Sequence, residues 1–428
     1  MKRTIRGRPR SRLALSGRPL ALFGLLFAGL LSAAAGSSAS SSAATAPAQS
    51  GNQGQVVTTP QPGYTAGLPT SIRALYAHSA DILGPSAYRE WKPVATPWTL
   101  CFDNSYLGNT WRASALAVFN HWAGYYQKLG LVKRYLTVTA NLSLPTQIQQ
   151  TRDLITVDHC SGIIAIPTGT SGMDGVLKEA YNAGIPVVGD IAPVTTPYYE
   201  NFDENWYTAT ITEMHFLMNL IHGKGNILYV IGIPGETINV EDMAAFSAVM
   251  RHYPHVHLVG KVIGQVTPSI AQSAVLQFLT THPATPINAV FSGEGGMGSG
   301  IIAAFKQARR PLPPFIFVGA GAVVSIMHNM LAAGQHPQFL GLANSPGFTM
   351  KDSFRILIRI LEGQHPKNMT IFYPPPEITP QNVNQWWTPN LTPSTTIWPA
   401  APKEPLPTSL LNTFFTNGHA ELPYKGKG

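Results

Sequence analysis

From Trp98 onward the chain alternates short apolar runs with longer stretches whose apolar residues recur every three or four positions. The runs predict strands over Trp98–Phe102, Tyr135–Thr139, Gly162–Pro167 and Pro186–Ile191, separated by helices over Thr110–Leu129, Pro145–Thr156 and Met173–Ala183. The rhythm restarts with a helix over Trp206–His222, then strand Asn226–Ile231, helix Val240–His252, strand His257–Ile263, helix Ser269–Thr281 and strand Ala289–Ser292. Helix Met297–Gln307, strand Phe315–Gly319, helix Val323–Ala333, strand Phe339–Ala343 and helix Met350–Glu362 complete it. Strands alternating with helices of this length predict βαβ units around parallel sheets, here in two successive α/β lobes.

The flanks read differently. Residues 1–35 carry Lys2, Arg3, Arg6, Arg8, Arg10, Arg12 and Arg18, then the apolar run Leu20 to Leu31, then Ser32-Ala33-Ala34-Ala35 before Gly36, the pattern of a secretory signal peptide. The apolar run of about 12 residues falls short of the roughly 20 that a membrane-spanning helix needs, and no later run is long enough. No Cys stands where a lipid anchor would attach, so free diffusion in the periplasm is the expectation. Residues 36–63 are rich in Ser, Ala, Gln, Thr and Gly and read as a disordered linker. Residues 64–95 hold a short helix around Ser71 to Ile82, then Pro85 and Pro93, and read as an ordered extension lying on the first lobe. The Pro- and Trp-rich tail over 371–428, with Trp386, Trp387 and Trp398, is expected to wrap back over the lobes as irregular structure.

Charge changes its meaning once the leader is set aside. The formal +8 includes seven of the 29 Lys and Arg in the leader, which has no Asp or Glu, leaving 22 against 21. A near-neutral body lacks the electrostatic footprint of a nucleic-acid binder. Export permits disulfides, and Cys101 and Cys160 are the only cysteines. One inside the first strand and one entering the third would stand at different heights, whereas bridging needs Cα atoms within about 7 Å, so strand positions argue against the one possible pair and leave its bridging open.

In open parallel sheets ligands sit beyond the carboxyl ends of the strands. The first such loop, Asp103-Asn104-Ser105-Tyr106-Leu107-Gly108-Asn109-Thr110-Trp111-Arg112, offers amides, hydroxyls, two aromatics and a guanidinium, which suit a flat hydroxylated ligand. The structural alternative packs Trp111 in the core, pairs Arg112 with a carboxylate and spends Asn104 and Asn109 on a turn and a helix cap. Gly232-Ile233-Pro234-Gly235-Glu236-Thr237 precedes a helix but lacks both nucleotide spacings, and His252, His255 and His257 lack acidic or Cys partners for a metal. Glu236, Glu241, Asp242 and Glu294 could supply a hydrolytic pair, but no nucleophile elbow or zinc motif accompanies them.

Gly108-Asn109-Thr110-Trp111-Arg112-Ala113 is similar to the first-strand loop of the periplasmic-binding-protein type I family, in its ribose- and galactofuranose-binding branch. Gln147 to Leu154, Gly162 to Pro167, and Ala183-Gly184-Ile185-Pro186-Val187-Val188 resemble further family segments in the same order, and the resemblance runs from about Trp98 to Pro366. It implies two Rossmann-like lobes, 96–199 plus 345–370 and 200–343, joined by a three-segment hinge near Tyr198–Asn201, Asn344–Ser345 and about Thr370. It also implies ligand contacts from Asn109, Trp111, Arg112, Asp190, Asn205, Asn239, Asp242, Glu294 and Asn344, and the chemistry of the loops themselves adds Asn104, Tyr106 and Glu236. Ile191 stands where the family has an Arg after Asp190, Asp242 replaces a second-lobe Arg, and Val318-Gly319-Ala320-Gly321 lacks the usual Asp. Losing two guanidiniums while keeping carboxylates favours donor-rich or cationic ligands such as polyols, amino sugars or nucleoside-like molecules.

The function implied is a monomeric, non-enzymatic, exported solute-binding protein without cofactor or metal, which closes on a sugar-like ligand for an ABC permease. A sensory receptor docking on a chemoreceptor or histidine kinase is the near rival. A secreted glycoside hydrolase is the distant one.

Overall fold

The computed structural model describes residues 63, 65–77 and 82–423; the signal peptide and nearly all of the linker lie outside the described residues. After a short helix α1 (Thr70–Ala74), the first sheet comprises β1 (Trp98–Asn104), β2 (Val132–Thr139), β3 (Gly162–Ile166) and β4 (Val187–Gly189), parallel and ordered β2-β1-β3-β4. Its crossovers are α2 (Thr110–Lys128), α3 (Leu144–Thr156) and α4 (Asp174–Asn182). β3, Gly-Ile-Ile-Ala-Ile, is buried along its whole length, as a central parallel strand covered on both faces must be. The two-stranded pair of β5 (Asn201–Asp203) with β11 (Thr370–Phe372) continues this sheet through a parallel bridge from Val188 to Glu200.

The second sheet contains β6 (Gly225–Ile231), β7 (Val256–Ile263), β8 (Ala289–Phe291), β9 (Phe315–Val318), β10 (Phe339–Leu342) and β12 (Glu377–Ile378), ordered β12-β10-β9-β8-β6-β7. Only β12 runs antiparallel to its neighbour. Helices α5 (Trp206–Leu220), α6 (Thr237–Met250), α7 (Pro268–Thr281), α8 (Gly298–Gln307) and α9 (Gly321–Ala332) accompany it. Helix α10 (Thr349–Leu361) follows β10 but packs on α2, β3 and β4 of the first lobe.

Because β5 and β11 hydrogen-bond into the first sheet, the chain crosses between lobes just beyond them, at Glu204–Asn205 and Tyr373–Pro376. Those points lie downstream of Tyr198–Asn201 and Thr370. The remaining crossing follows β10, at Asn344–Ser345. The first and last crossings are joined: Tyr373 donates its amide to the Asp203 carbonyl at 3.1 Å and its hydroxyl to Glu204.

Three expectations need correction. Cys101 and Cys160 are bridged, with Cα atoms 6.0 Å apart. The turn into β3 folds back beside β1, where the Ser161 amide donates to the Thr99 carbonyl at 2.7 Å, so the height difference is smaller than strand positions alone suggested. The helix expected over Ser71–Ile82 is confined to Thr70–Ala74 among the described residues, and the extension is held by Tyr76 and Ser86, which donate to the Thr370 carbonyl and the Glu200 carboxylate. The tail also has regular structure: besides β12 it forms α11 (Val383–Trp386) and α12 (Thr408–Thr413).

Candidate functional site

The chemistry gathers at the carboxyl ends of the strands. Asn109 caps α2, its side-chain oxygen accepting the Arg112 amide at 2.8 Å, and so sets the first turn from which Trp111 and Arg112 project. Arg112 reaches across to the second lobe, where its Nη2 lies 2.9 Å from Glu236 Oε1 at the start of α6. Both side chains are only 8% exposed, so this is a buried ion pair between the lobes. The guanidinium also lies 5.7 Å from the Tyr106 ring centre and 5.5 Å from that of Trp111. The Trp111 indole N–H donates to the Asn344 carbonyl at 2.7 Å, tying α2 to the crossing after β10.

Asp190, beyond β4, is fully buried and accepts from Ser353 of α10 at 3.3 Å. Burial pushes its carboxyl up to about 7, with the nearby Arg112 charge acting in the opposite sense. Glu294, beyond β8, accepts from the Gly232 amide at 3.0 Å and from Asn239 Nδ2 at 3.1 Å. A Cβ on Gly232 would collide with the Glu294 carboxylate, so glycine there permits the approach. Burial first, and then the Glu236 charge, raise the Glu294 carboxyl. Asp242 accepts from Thr210 at 2.6 Å, and burial and then the Glu294 charge hold it well above the usual carboxylate range.

The structure brings Tyr106, Trp111, Arg112, Glu236 and Asn344 into one connected cluster, with Asp190 close enough to feel the Arg112 charge. Asn104, at the end of β1, is fully buried with neither side-chain amide atom hydrogen-bonded to protein. Asn109 and Asn239 are occupied in holding Arg112 and Glu294. Asn205 is the correction: it caps α5 and donates to the carbonyls of Leu75 and Ala77 in the extension, so its polar atoms serve the crossing and not a ligand. Two hydroxyls stand outside the expected ligand contacts, Ser105, which the first loop already offered, and Ser292, both buried with Oγ unpartnered. Each directly follows an observed strand, β1 or β8, whereas the expected first strand ended at Phe102 and the other ran through Ser292. Among the described residues no cluster of His, Cys, Asp or Glu could hold a metal ion.

Titration of Asp190 gives a measurable sign. A carboxyl near 4 when unfolded and about 7 when folded favours the folded state fully below pH 4, an advantage lost as pH rises through 7. Thermal denaturation of the ligand-free protein should therefore give matching stability for wild type and Asp190→Asn below pH 4, with the variant gaining on wild type as pH rises and the more stable of the two at pH 8. A variant parallel to wild type at every pH would contradict the shift.

Residues 101–365 match the family model described as "Periplasmic binding protein domain". The chain belongs to this family. A xylitol-binding protein of Mycolicibacterium smegmatis is 23% identical over 248 residues, covering 58% of this chain and 68% of that protein. Among solved structures, an ABC transporter solute-binding protein from Thermobispora bispora superposes with a TM-score of 0.60 at 24% identity, over 68% of this chain and 87% of the other. One from Bacillus halodurans with bound myo-inositol gives 0.58 at 15% identity, over 69% and 98%. The fold is periplasmic binding protein type I, and the family is one of ligand-capturing binding proteins. No helix of the described residues is long and apolar enough to cross a membrane.

Proposed function

We propose that this member of the family captures an uncharged, polyhydroxylated small molecule, a polyol or a sugar of similar size, between its lobes. The observation that carries the reading is the set of buried polar atoms without a protein partner: both amide atoms of Asn104, Oγ of Ser105 and Ser292, Nη1 of Arg112 and Oδ1 of Asn344. The set mixes donors with acceptors, which matches hydroxyl groups, since each hydroxyl both donates and accepts. Arg112 already has Glu236 as its counter-ion, so an anionic ligand would have to compete for it. The raised carboxyls of Asp190 and Glu294 favour protonated groups able to donate to hydroxyls. The names of the xylitol-binding relative and the myo-inositol complex support the same class.

In this reading the leader exports the chain, the lobes are 96–203 with 345–373 and 204–344, and the protein acts as a monomer without binding nucleic acid. Closure around the ligand presents both lobes to an inner-membrane permease. A thermal-shift screen against pentitols, inositols, aldoses, amino sugars, nucleosides and polyamines tests it. Ligand at 100-fold excess over its dissociation constant adds roughly 2.7 kcal/mol, and a polyol or neutral sugar should give the largest shift. A shift confined to polyamines or amino sugars would reject the class.

A further inference from the structure

The tail holds to both lobes. On the second, β12 pairs with β10, the Trp387 ring stacks on His328 of α9 at 3.9 Å, and the Ile397 carbonyl accepts the Gly321 amide at 3.2 Å. A Cβ on Gly321 would strike that carbonyl, so the tail lies directly on the start of α9. At Trp398 the chain leaves the second lobe: its ring edge sits against Gly296 beyond β8, while its indole N–H donates to Thr110 Oγ1 on the first lobe at 3.3 Å. From there the tail continues on α10, with Glu404 paired to Lys351, and Leu406 and Thr408 accepting from Arg355 at 2.8 and 2.9 Å.

This path adds a fourth connection between the lobes, apart from the three hinge crossings. The segment Trp398-Pro399-Ala400-Ala401-Pro402-Lys403-Glu404 carries two prolines, and a proline-rich segment is a semi-rigid spacer. At about 3.3–3.6 Å per extended residue, it permits only some 20 Å between its two anchors. Trp398 touches both rims of the cleft and is itself buried.

We propose that the C-terminal segment is a tether that limits lobe opening and holds the ligand-free protein near its closed form, with Trp398 as the latch. The proposal rests on the reading of these lobes as a closing pair. A tether of this kind raises the population of the binding-competent state and slows ligand release.

Spin labels at Gln149 and Ser273, both exposed and on opposite lobes, report the inter-lobe distance in the ligand-free full-length protein by pulsed electron resonance, and xylitol release is followed by stopped flow. Trp398→Ala, and separately a six-residue Gly-Ser insertion between Ala400 and Ala401, should lengthen and broaden the distance distribution. Each should speed xylitol release about tenfold. The insertion leaves every anchor intact and decides the matter if Trp398→Ala fails to fold. Unchanged distances with the lengthened segment would overturn the tether. If no variant binds xylitol, the distances still decide the tether, and the loss counts against the ligand class alone.

Discussion

Arg112→Ala is expected to weaken ligand binding by two to three orders of magnitude while changing the thermal midpoint of the ligand-free protein far less. The substitution leaves Glu236 unpaired in a site where it is 8% exposed, and breaking a buried pair costs about 3–5 kcal/mol. That cost falls on the fully closed form, because even the limited opening that the tail permits separates the rims and lets water reach Glu236. Closing then becomes less favourable by that amount, and the apparent affinity drops with the closed population. Glu236→Gln in the Arg112→Ala background should restore part of the loss, since it removes the stranded charge. Arg112→Lys should recover little, because a single ammonium cannot bond Glu236 and also supply the second guanidinium nitrogen, Nη1, toward the cleft. Calorimetric titration with xylitol reads all three, and an affinity within threefold of wild type for Arg112→Ala would exclude this account.

The contrast between Arg112 and its neighbours marks how far one-dimensional reading reaches. The strand and helix alternation was legible because period and length are local properties: the strand expected over Asn226–Ile231 is β6 at Gly225–Ile231, and the helix over Met350–Glu362 is α10 at Thr349–Leu361. That chemistry lies at strand ends was legible too, since parallel topology dictates it. The division of labour was not. An Asn between a strand and a helix reads the same whether it binds ligand, as proposed for Asn104, or caps a helix, as Asn109 and Asn205 do. The choice of Glu236 as partner for Arg112 spans 124 positions, and no spacing rule covers a contact made across two lobes. The tail was least legible, because its order comes from partners far away in sequence and not from its own periodicity.

The ion cluster that fixes the tail supplies the largest expected effect on folding stability. Helix α10 is buried on nearly every side, yet it carries Arg355 and Arg359, which need counter-charges within the interior. Glu421 provides one: Arg355 Nε and Arg359 Nε lie 2.5 and 2.8 Å from its two carboxylate oxygens, and Asp352 takes a further nitrogen of Arg355 at 2.8 Å. Burial pushes the Glu421 carboxyl up, but the charges of Arg355 and then Arg359 outweigh it and hold the group below the usual range. Glu421→Ala strands the Arg359 guanidinium and leaves Arg355 with Asp352 as its acidic partner, and should cost about 3–5 kcal/mol at neutral pH by chemical denaturation. Because the folded value is depressed, the stabilisation is present above the unfolded carboxyl value and fades as pH falls through the folded one, so the gap between wild type and variant should narrow toward acid. Replacing Glu421 and Arg359 together by leucine should recover most of the loss, since an apolar substitute of similar volume removes the uncompensated charge. A single variant as stable as wild type at pH 7 would mean that α10 does not depend on the tail for its counter-charge.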